Sequence, residues 1–345
     1  MATFLNHIHY LRGVAIVMII GVHARGYGWE WTDQTGFNFF VTLFDNGTIL
    51  FVFIAGFLFQ HLNHEKFSYL NYLKQKLRFV ALPYILFSIP ILALRLYLGS
   101  GELPLDVSFD QKPILFRVFY YLITGLHMVP FWFMPMIFLF YVSSFLLHRL
   151  NSKMFYTFIF PLLLSAGLFT YRPENNANPL LSYLHFLPIY LTGMWASCHH
   201  DKILAQRRWL GIALLLIYSL ITILELTNTI TLEKRLNMEN VWAENQWVFN
   251  IYVFKAIILC FILVIGFNSI QHKENTILNG LAECSFGMYF IHFYFISLYR
   301  ELFGPLTFNV VSFLGYFVVL LGISWASIYG IKRITGRYSR YLTGS

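Results

Sequence analysis

The stretch from His9 to Gly26, HYLRGVAIVMIIGVHARG, predicts the fold class of this chain. Ten residues separate Arg12 from His23, and all ten are apolar or glycine. About 20 apolar residues in a helix cross a hydrocarbon core of about 30 Å. The run has no Lys/Arg-rich leader and ends without a small-residue cleavage site, so it predicts a retained membrane helix rather than a signal peptide.

The rest of the chain repeats this apolar pattern. Of 345 residues, 58% are hydrophobic and only 12% are charged, and the mean hydropathy is +0.61, whereas an average soluble domain has about 25% charged residues. Outer-membrane barrels have strictly alternating segments of about 10 residues, and runs such as 251–267 do not alternate. The composition therefore excludes a soluble domain and predicts an all-α polytopic membrane protein.

Ten segments have the apolar character of a membrane span, and loop charge predicts their orientation. A further stretch, 113–129, is only weakly apolar. If the N-terminus is inside and 113–129 does not cross, 14 Lys and Arg residues fall on the cytoplasmic side and 6 outside, as positive-inside orientation requires. We therefore expect a bundle of about ten transmembrane helices with cytoplasmic N- and C-termini. The predicted spans are 10–28, 38–60, 79–98, 131–147, 154–171, 180–197, 209–227, 247–267, 281–299 and 308–330.

Net charge, cysteine usage and loop composition narrow the kinds of binding site and domain organisation that can be expected. The net charge is +8, but basic residues in a membrane protein mark cytoplasmic loops, so nucleic-acid binding is not expected. The three cysteines form no CxxC pair and have no zinc-like spacing with histidines, so neither a disulfide framework nor a metal site is expected. No linker or repeat divides the chain, and we predict one domain over 1–345.

Arg12 and His23 are the first candidates for chemistry. They are 11 positions apart, about three helical turns or roughly 16 Å, so both side chains lie on one helix face. Ionisable groups inside a membrane usually face a cavity or a polar partner. One interpretation is that Arg12 reaches lipid phosphates and His23 is a hydrogen-bonded interior residue. The other is that Arg12 binds an anionic donor and His23 acts as a base; spacing alone leaves both open.

The sequence Leu11-Arg12-Gly13, followed ten residues after the arginine by His23, resembles the opening signature of the acyltransferase-3 family of membrane-bound acyltransferases. Four more segments are similar to motifs of that family, in the same order along most of the chain. They are FVFIAGF at 51–57, KQKLRFVALPY at 74–84, WFMP at 132–135 and LAECSFGMYFIH at 281–292.

The resemblance implies a reaction and a set of residues. Family members take a cytoplasmic acyl-coenzyme A, held during turnover rather than as a permanent cofactor, and acylate a carbohydrate. For this chain that implies an inner-membrane O-acyltransferase acting on a cell-envelope or exported polysaccharide or its precursor, with acetyl as the expected group. Arg12 and a basic loop would contact the coenzyme, and His23 would remove a proton from the sugar hydroxyl. The loop residues are Lys74, Lys76 and Arg78.

Other polar groups in the predicted spans are candidates for supporting roles. Ser285, Tyr289 and His292 lie at i, i+4 and i+7 and therefore share a helix face, where they polarise the thioester or join helices by hydrogen bonds. Asp45 is expected at the depth of His23, as the carboxylate that orients it or as a helix cap.

Two other functional classes fit a polytopic chain. A transporter would move a saccharide or acyl group without transferring it, and such proteins usually contain paired repeats with broken helices. A non-catalytic assembly component would tolerate substitution of Arg12 and His23.

Overall fold

The computed structural model describes residues 5–26, 28–63, 66–99, 107–170, 172–173, 176, 178–227, 229, 235–236, 249–271 and 274–345. Nearly all of these residues are helical, and the prediction of an all-α polytopic membrane protein is confirmed. Most of the predicted polar loop at 228–246 lies outside the described residues.

Fifteen α-helices are described, together with short 3-10 and π-helical turns. The helices are α1 (Asn6–Gly26), α2 (Gln34–Phe44), α3 (Gly47–Asn63), α4 (Tyr69–Lys76), α5 (Leu82–Leu98), α6 (Ile114–Thr124), α7 (Phe133–Leu150), α8 (Phe160–Leu168), α9 (Pro179–Cys198), α10 (His200–Ala205), α11 (Arg207–Leu226), α12 (Ile251–Ile270), α13 (Thr276–Phe303), α14 (Val310–Thr335) and α15 (Ser339–Thr343). The strands are two residues each: β1 (Glu30–Trp31) pairs in parallel with β4 (Thr307–Phe308), and β2 (Arg172–Pro173) with β3 (Arg235–Leu236).

Eight helical stretches in the described part of the chain have the length and hydropathy to cross a membrane. They are Asn6–Gly26, Gln34–Asn63, Tyr69–Leu98, Val129–Leu150, Arg207–Leu226, Ile251–Ser269, Thr276–Phe303 and Val310–Thr343. Helix α9 has 20 residues, which is also enough, whereas the apolar stretch Phe155–Leu168 is shorter. The count of ten spans and the sides of the two termini stay predictions.

Helix α1 is the centre of the bundle. It packs against α13, α3, α2, α12 and α14, and most of its apolar residues are buried. Close approach to α13 depends on Gly13, where an added Cβ would lie 3.0 Å from the backbone oxygen of Leu278. Helices α3 and α9 cross even more tightly, because a Cβ on Gly56 or Gly193 would collide with a backbone carbonyl of the other helix.

The predicted span 38–60 lies within one candidate membrane span, Gln34–Asn63, in which two helices, α2 and α3, meet at a turn. The turn falls at Asp45 and Asn46 and is followed by Gly47. Short polar side chains and glycine favour helix ends over helix interiors. The freed carbonyl of Asp45 accepts a hydrogen bond from the hydroxyl of Tyr252, with an O–O distance of 2.6 Å.

The weakly apolar stretch 113–129 forms α6, which has 11 residues and is therefore about 16 Å long, too short to cross alone. Arg117 donates to the carbonyl of Arg95, near one end of α5, whereas the carbonyl of Leu122 accepts from Tyr84, near its other end. Helix α6 thus runs antiparallel along α5, and α7 continues the chain beyond it. The two helices make one broken passage, which leaves the orientation predicted for later segments unchanged.

The basic segment 74–78, predicted as a loop, is helical. Helix α4 continues through a π-helical turn, Leu77–Ala81, directly into α5. The turn precedes Pro83, whose ring clashes with the carbonyl four residues back in a regular α-helix. A second π-helical turn, Phe155–Ile159, precedes Pro161 in the same way. The wider turn lets the helix continue past the proline, and such turns are frequent at functional sites.

Candidate active site

A cavity of about 510 Å³ joins the two residues singled out in α1, because Arg12 and His23 both line it. That volume lies within the range of ligand-binding cavities. The walls come from α1, α3, the α4–α5 passage, α7, α13 and residues beyond α14. The prediction that Arg12 and His23 share one face is therefore confirmed, and that face borders open space.

The Arg12 end of the cavity is cationic. Lys76, Lys332 and Arg340 line it together with Arg12. The guanidinium of Arg12 donates to the hydroxyl of Ser285, at 3.2 Å, and that hydroxyl donates in turn to a backbone carbonyl of its own helix. Ser285 therefore joins α13 to α1 by a hydrogen bond, which agrees with one of the two roles expected for the polar residues on this face.

Aromatic rings and one carboxylate hold the other cations. The ammonium of Lys76 lies 5.1 Å from the ring centre of Tyr72 and 4.9 Å from that of Tyr141, a cation–π arrangement. The ammonium of Lys332 pairs with the carboxylate of Glu283 at 3.2 Å. Lys76 is thus directed into the cavity, while the charge of Lys332 is largely compensated.

The His23 end of the cavity contains a second imidazole nearby. The ring centres of His23 and His292 are 5.3 Å apart, and Nδ1 of His292 lies 3.0 Å from the carbonyl oxygen of Met288. A carbonyl can only accept, so this hydrogen bond places a proton on Nδ1 and leaves Nε2 of His292 as an acceptor. Histidines from α1 and α13 thus meet where the sequence predicted the reaction.

Tyr289 lines the cavity on the same α13 face as Ser285. Its hydroxyl donates to the carbonyl of Pro130, in the break between α6 and α7. Trp132 and Phe133 of the WFMP segment also line the cavity. Non-helical backbone at membrane depth is tolerated where it lines a cavity or is buried in protein, so this break forms one wall of the site.

Asp45 lies at the break between α2 and α3, and its carboxylate accepts from the guanidinium of Arg25. Neither residue is among those that line the cavity. The Asp45 charge is therefore compensated by an arginine, and its proposed action on His23 stays a prediction.

Two of the three basic residues expected to contact the coenzyme lie elsewhere. Lys74 and Arg78 are exposed and do not line the cavity, whereas Lys76 does. The reason is helical phase: residues two apart on a helix point about 200° apart, so they cannot share a face.

Lys332 and Arg340 were not singled out in the sequence, where they were only two of the basic residues assigned to the cytoplasmic side. Neither belongs to a motif. Glu283 lies inside the LAECSFGMYFIH segment but was not among the predicted site residues. Their place at the cavity follows from the packing of α13 and α14 and from the return of the chain after α14.

Of three comparisons with known proteins, one identifies a family and two find no match. A family model described as an acyltransferase domain matches residues 5–329. No curated protein and no solved structure matches the chain significantly.

Proposed function

Because this chain belongs to the acyltransferase-3 family, whose model covers nearly its whole length, we propose that the cavity is the active site of acyl transfer from acyl-coenzyme A to a carbohydrate hydroxyl. The protein is a membrane acyltransferase. The proposal adds the donor, with acetyl as the expected group, and an acceptor in a cell-envelope or exported polysaccharide or its precursor. It also places the protein in the inner membrane.

One observation carries the proposal: a single cavity extends from a cationic end at Arg12 and Lys76 to the imidazole of His23, which packs against the buried ring of His292. A coenzyme has the same polarity, with phosphates at one end and a thioester at the other. Arginine and lysine are suited to phosphate, and the apolar residues between the two ends are suited to the uncharged arm. Those residues include Ile54, Ala55 and Ile137.

The reaction needs one proton acceptor and no metal. His23 accepts the proton of the sugar hydroxyl as its oxygen attacks the thioester carbonyl. The tetrahedral intermediate collapses, the carbon–sulfur bond breaks, and the proton held by His23 passes to the departing coenzyme thiolate. The products are an acyl ester of the sugar and free coenzyme A, and His23 returns to its neutral form.

The broken helices favour one rival, since transporters use discontinuous helices at their binding sites. Both breaks, at Asp45–Asn46 and between α6 and α7, adjoin residues of the cavity wall such as Thr48 and Pro130. A transporter would release the donor with its thioester intact, whereas a transferase consumes it.

The test combines chemistry and location. Purified protein in lipid nanodiscs receives radiolabelled acetyl-coenzyme A and polysaccharide from cells that lack the protein. We expect label in the polysaccharide as an alkali-labile ester, with an equal amount of free thiol. The Arg12→Ala variant should bind the coenzyme weakly and transfer little label. Binding without thiol release or ester formation would favour transport and contradict the proposal.

A further inference from the structure

The chain folds back onto the cytoplasm-facing end of the predicted bundle after α14. A 3-10 turn, Gly336–Tyr338, leads into α15. Gly344 then packs against the ring of Phe286, so closely that a Cβ would collide with it, and the hydroxyl of Ser345 accepts from the backbone N–H of Gly287 at 3.0 Å. Thr343 is fully buried. These contacts attach the segment to α13, which carries Ser285 and Tyr289.

The attachment brings Arg340 to the cavity mouth. Its guanidinium carbon lies 4.2 Å from the ring centre of Phe79 in the π-helical turn, and the neighbouring ring of Tyr341 lies 5.2 Å from the same phenylalanine. Arg340 lines the cavity and remains exposed, whereas Arg12 and Lys76 are only partly accessible. Arg340 is therefore the outermost of three cations along one opening.

The three cations repel one another. Coulombic repulsion acts between Arg12 and Arg340, and Lys76 is affected by both. In the part of the chain that the structure describes, the carboxylate at this end is Glu283, and its ion pair is with Lys332. No described salt bridge involves Arg12, Lys76 or Arg340. Three positive charges that belong to no described salt bridge therefore surround one opening. A ligand that carries several negative charges would complement them.

We propose that Arg340, which lies beyond the residues 5–329 matched by the family model, is a donor-binding residue. Together with Arg12 and Lys76 it binds the phosphate groups of the acyl donor, and the segment 336–345 forms the mouth of the donor site. The inference rests on the proposed function, because it takes coenzyme A as the polyphosphate. A guanidinium at the mouth contacts phosphate bidentately while the thioester extends toward His23.

The experiment measures binding of unacylated coenzyme A to the purified full chain in phosphatidylcholine nanodiscs, which contain no anionic headgroup. Arg340→Gln is compared with Arg337→Gln, a matched control three residues away. Arg337 donates to Tyr338 and does not line the cavity. We expect Arg340→Gln to weaken binding roughly 10-fold or more, the effect of losing a charge-assisted contact, and Arg337→Gln to bind like the parent. Added salt should lower the coenzyme A affinity of the parent more steeply than that of Arg340→Gln.

A phosphate-free thioester, S-acetyl-N-acetylcysteamine, separates binding from a folding defect. Arg340→Gln should turn this short donor over at the parental rate, and an equal loss with both donors would overturn the inference. Parental coenzyme affinity in Arg340→Gln would also overturn it, while leaving the proposed function in place. If the parent itself fails to bind coenzyme A, the proposed function fails. Nanodiscs that contain phosphatidylglycerol test for a lipid site. If this lipid competes at Arg340 and abolishes the difference in coenzyme A affinity between the parent and Arg340→Gln, the site binds lipid headgroups and the inference is wrong.

Discussion

His23 has the position and the neighbours of a general base. It lines a cavity whose other end is cationic, and the ring of His292 is 5.3 Å away. His292 donates from Nδ1 to a backbone carbonyl, which fixes its tautomer and orients its ring. His292 is also completely buried, whereas His23 is partly accessible from the cavity. Accessibility therefore favours His23 as the residue that meets the acceptor.

Replacing His23 by glutamine tests this role at the residue scale. The amide still forms hydrogen bonds but does not accept the proton, so we expect transfer to fall roughly 10²- to 10⁴-fold. Single-turnover transfer from acetyl-coenzyme A to the true acceptor measures the effect. Coenzyme affinity should stay near the parental value, because His23 lies away from the cationic end.

The matched control is His148→Gln, since His148 lies near the far end of α7 and does not line the cavity. It should transfer at the parental rate. Turnover of His23→Gln within a few-fold of the parent would contradict the assignment, and His292 would then be the residue to replace.

At the scale of the element, the helical passage from α4 to α5 directs three neighbouring cations toward different surroundings. Lys76 points into the cavity between Tyr72 and Tyr141, whereas Lys74 and Arg78 point outward and are exposed. A positive-inside anchor needs only charge near the lipid headgroups, but a phosphate contact needs a side chain that borders the donor. We therefore expect the same short segment to serve both purposes.

This division predicts different effects for three similar substitutions. Lys76→Gln should weaken coenzyme binding roughly 10-fold, since it removes a charge-assisted contact. Lys74→Gln and Arg78→Gln remove equal charge from the same helix and should change affinity by less than about 2-fold, because exposed charges are screened. Isothermal titration of each purified variant with coenzyme A makes the comparison. Equal losses of coenzyme affinity in all three variants would show that the overall positive charge attracts the donor and that Lys76 makes no specific contact with it.

At the scale of the whole molecule, the mechanism depends on which side each end of the cavity faces. The proposed donor, acyl-coenzyme A, is cytoplasmic, so the proposal requires that the end that contains Arg12, Lys76 and Arg340 opens to the cytoplasm. Loop charge predicts the same orientation. The two arguments share Lys76 and Arg340, which count among the 14 basic residues assigned to the cytoplasmic side and also line the cavity.

Cysteine labelling tests the orientation. The native cysteines Cys198, Cys260 and Cys284 are first replaced by serine or alanine, and single cysteines are then placed in 61–76, 332–345 and 228–246. A membrane-impermeant maleimide applied to intact cells should label the last set alone. Lysed cells, in which all three sets become accessible, provide the control. External labelling within 332–345 would reverse the assigned orientation and contradict the proposed donor side.

Length and hydropathy are local properties, so the features that depend on them were predictable from the sequence. It predicted the all-α membrane class, and the 3.6-residue period placed Arg12 with His23, and Ser285 with Tyr289, on common faces. One local pattern led to an error, because the basic segment 74–78, predicted as a loop, is helical. The helix continues there because the wider turn before Pro83 accommodates the proline ring.

Which polar residues surround one cavity depends on how distant helices pack, and local sequence patterns do not predict it. Arg12 meets Ser285 across 273 positions of sequence, and Arg340 reaches the same opening because Gly344 packs on Phe286. Lys76 is distinguished from Lys74 and Arg78 by the face that packing turns inward. Contacts of this kind depend on helix crossings that require close backbone approach, as at Gly13, and one-dimensional periodicity carries no information about which helix lies opposite.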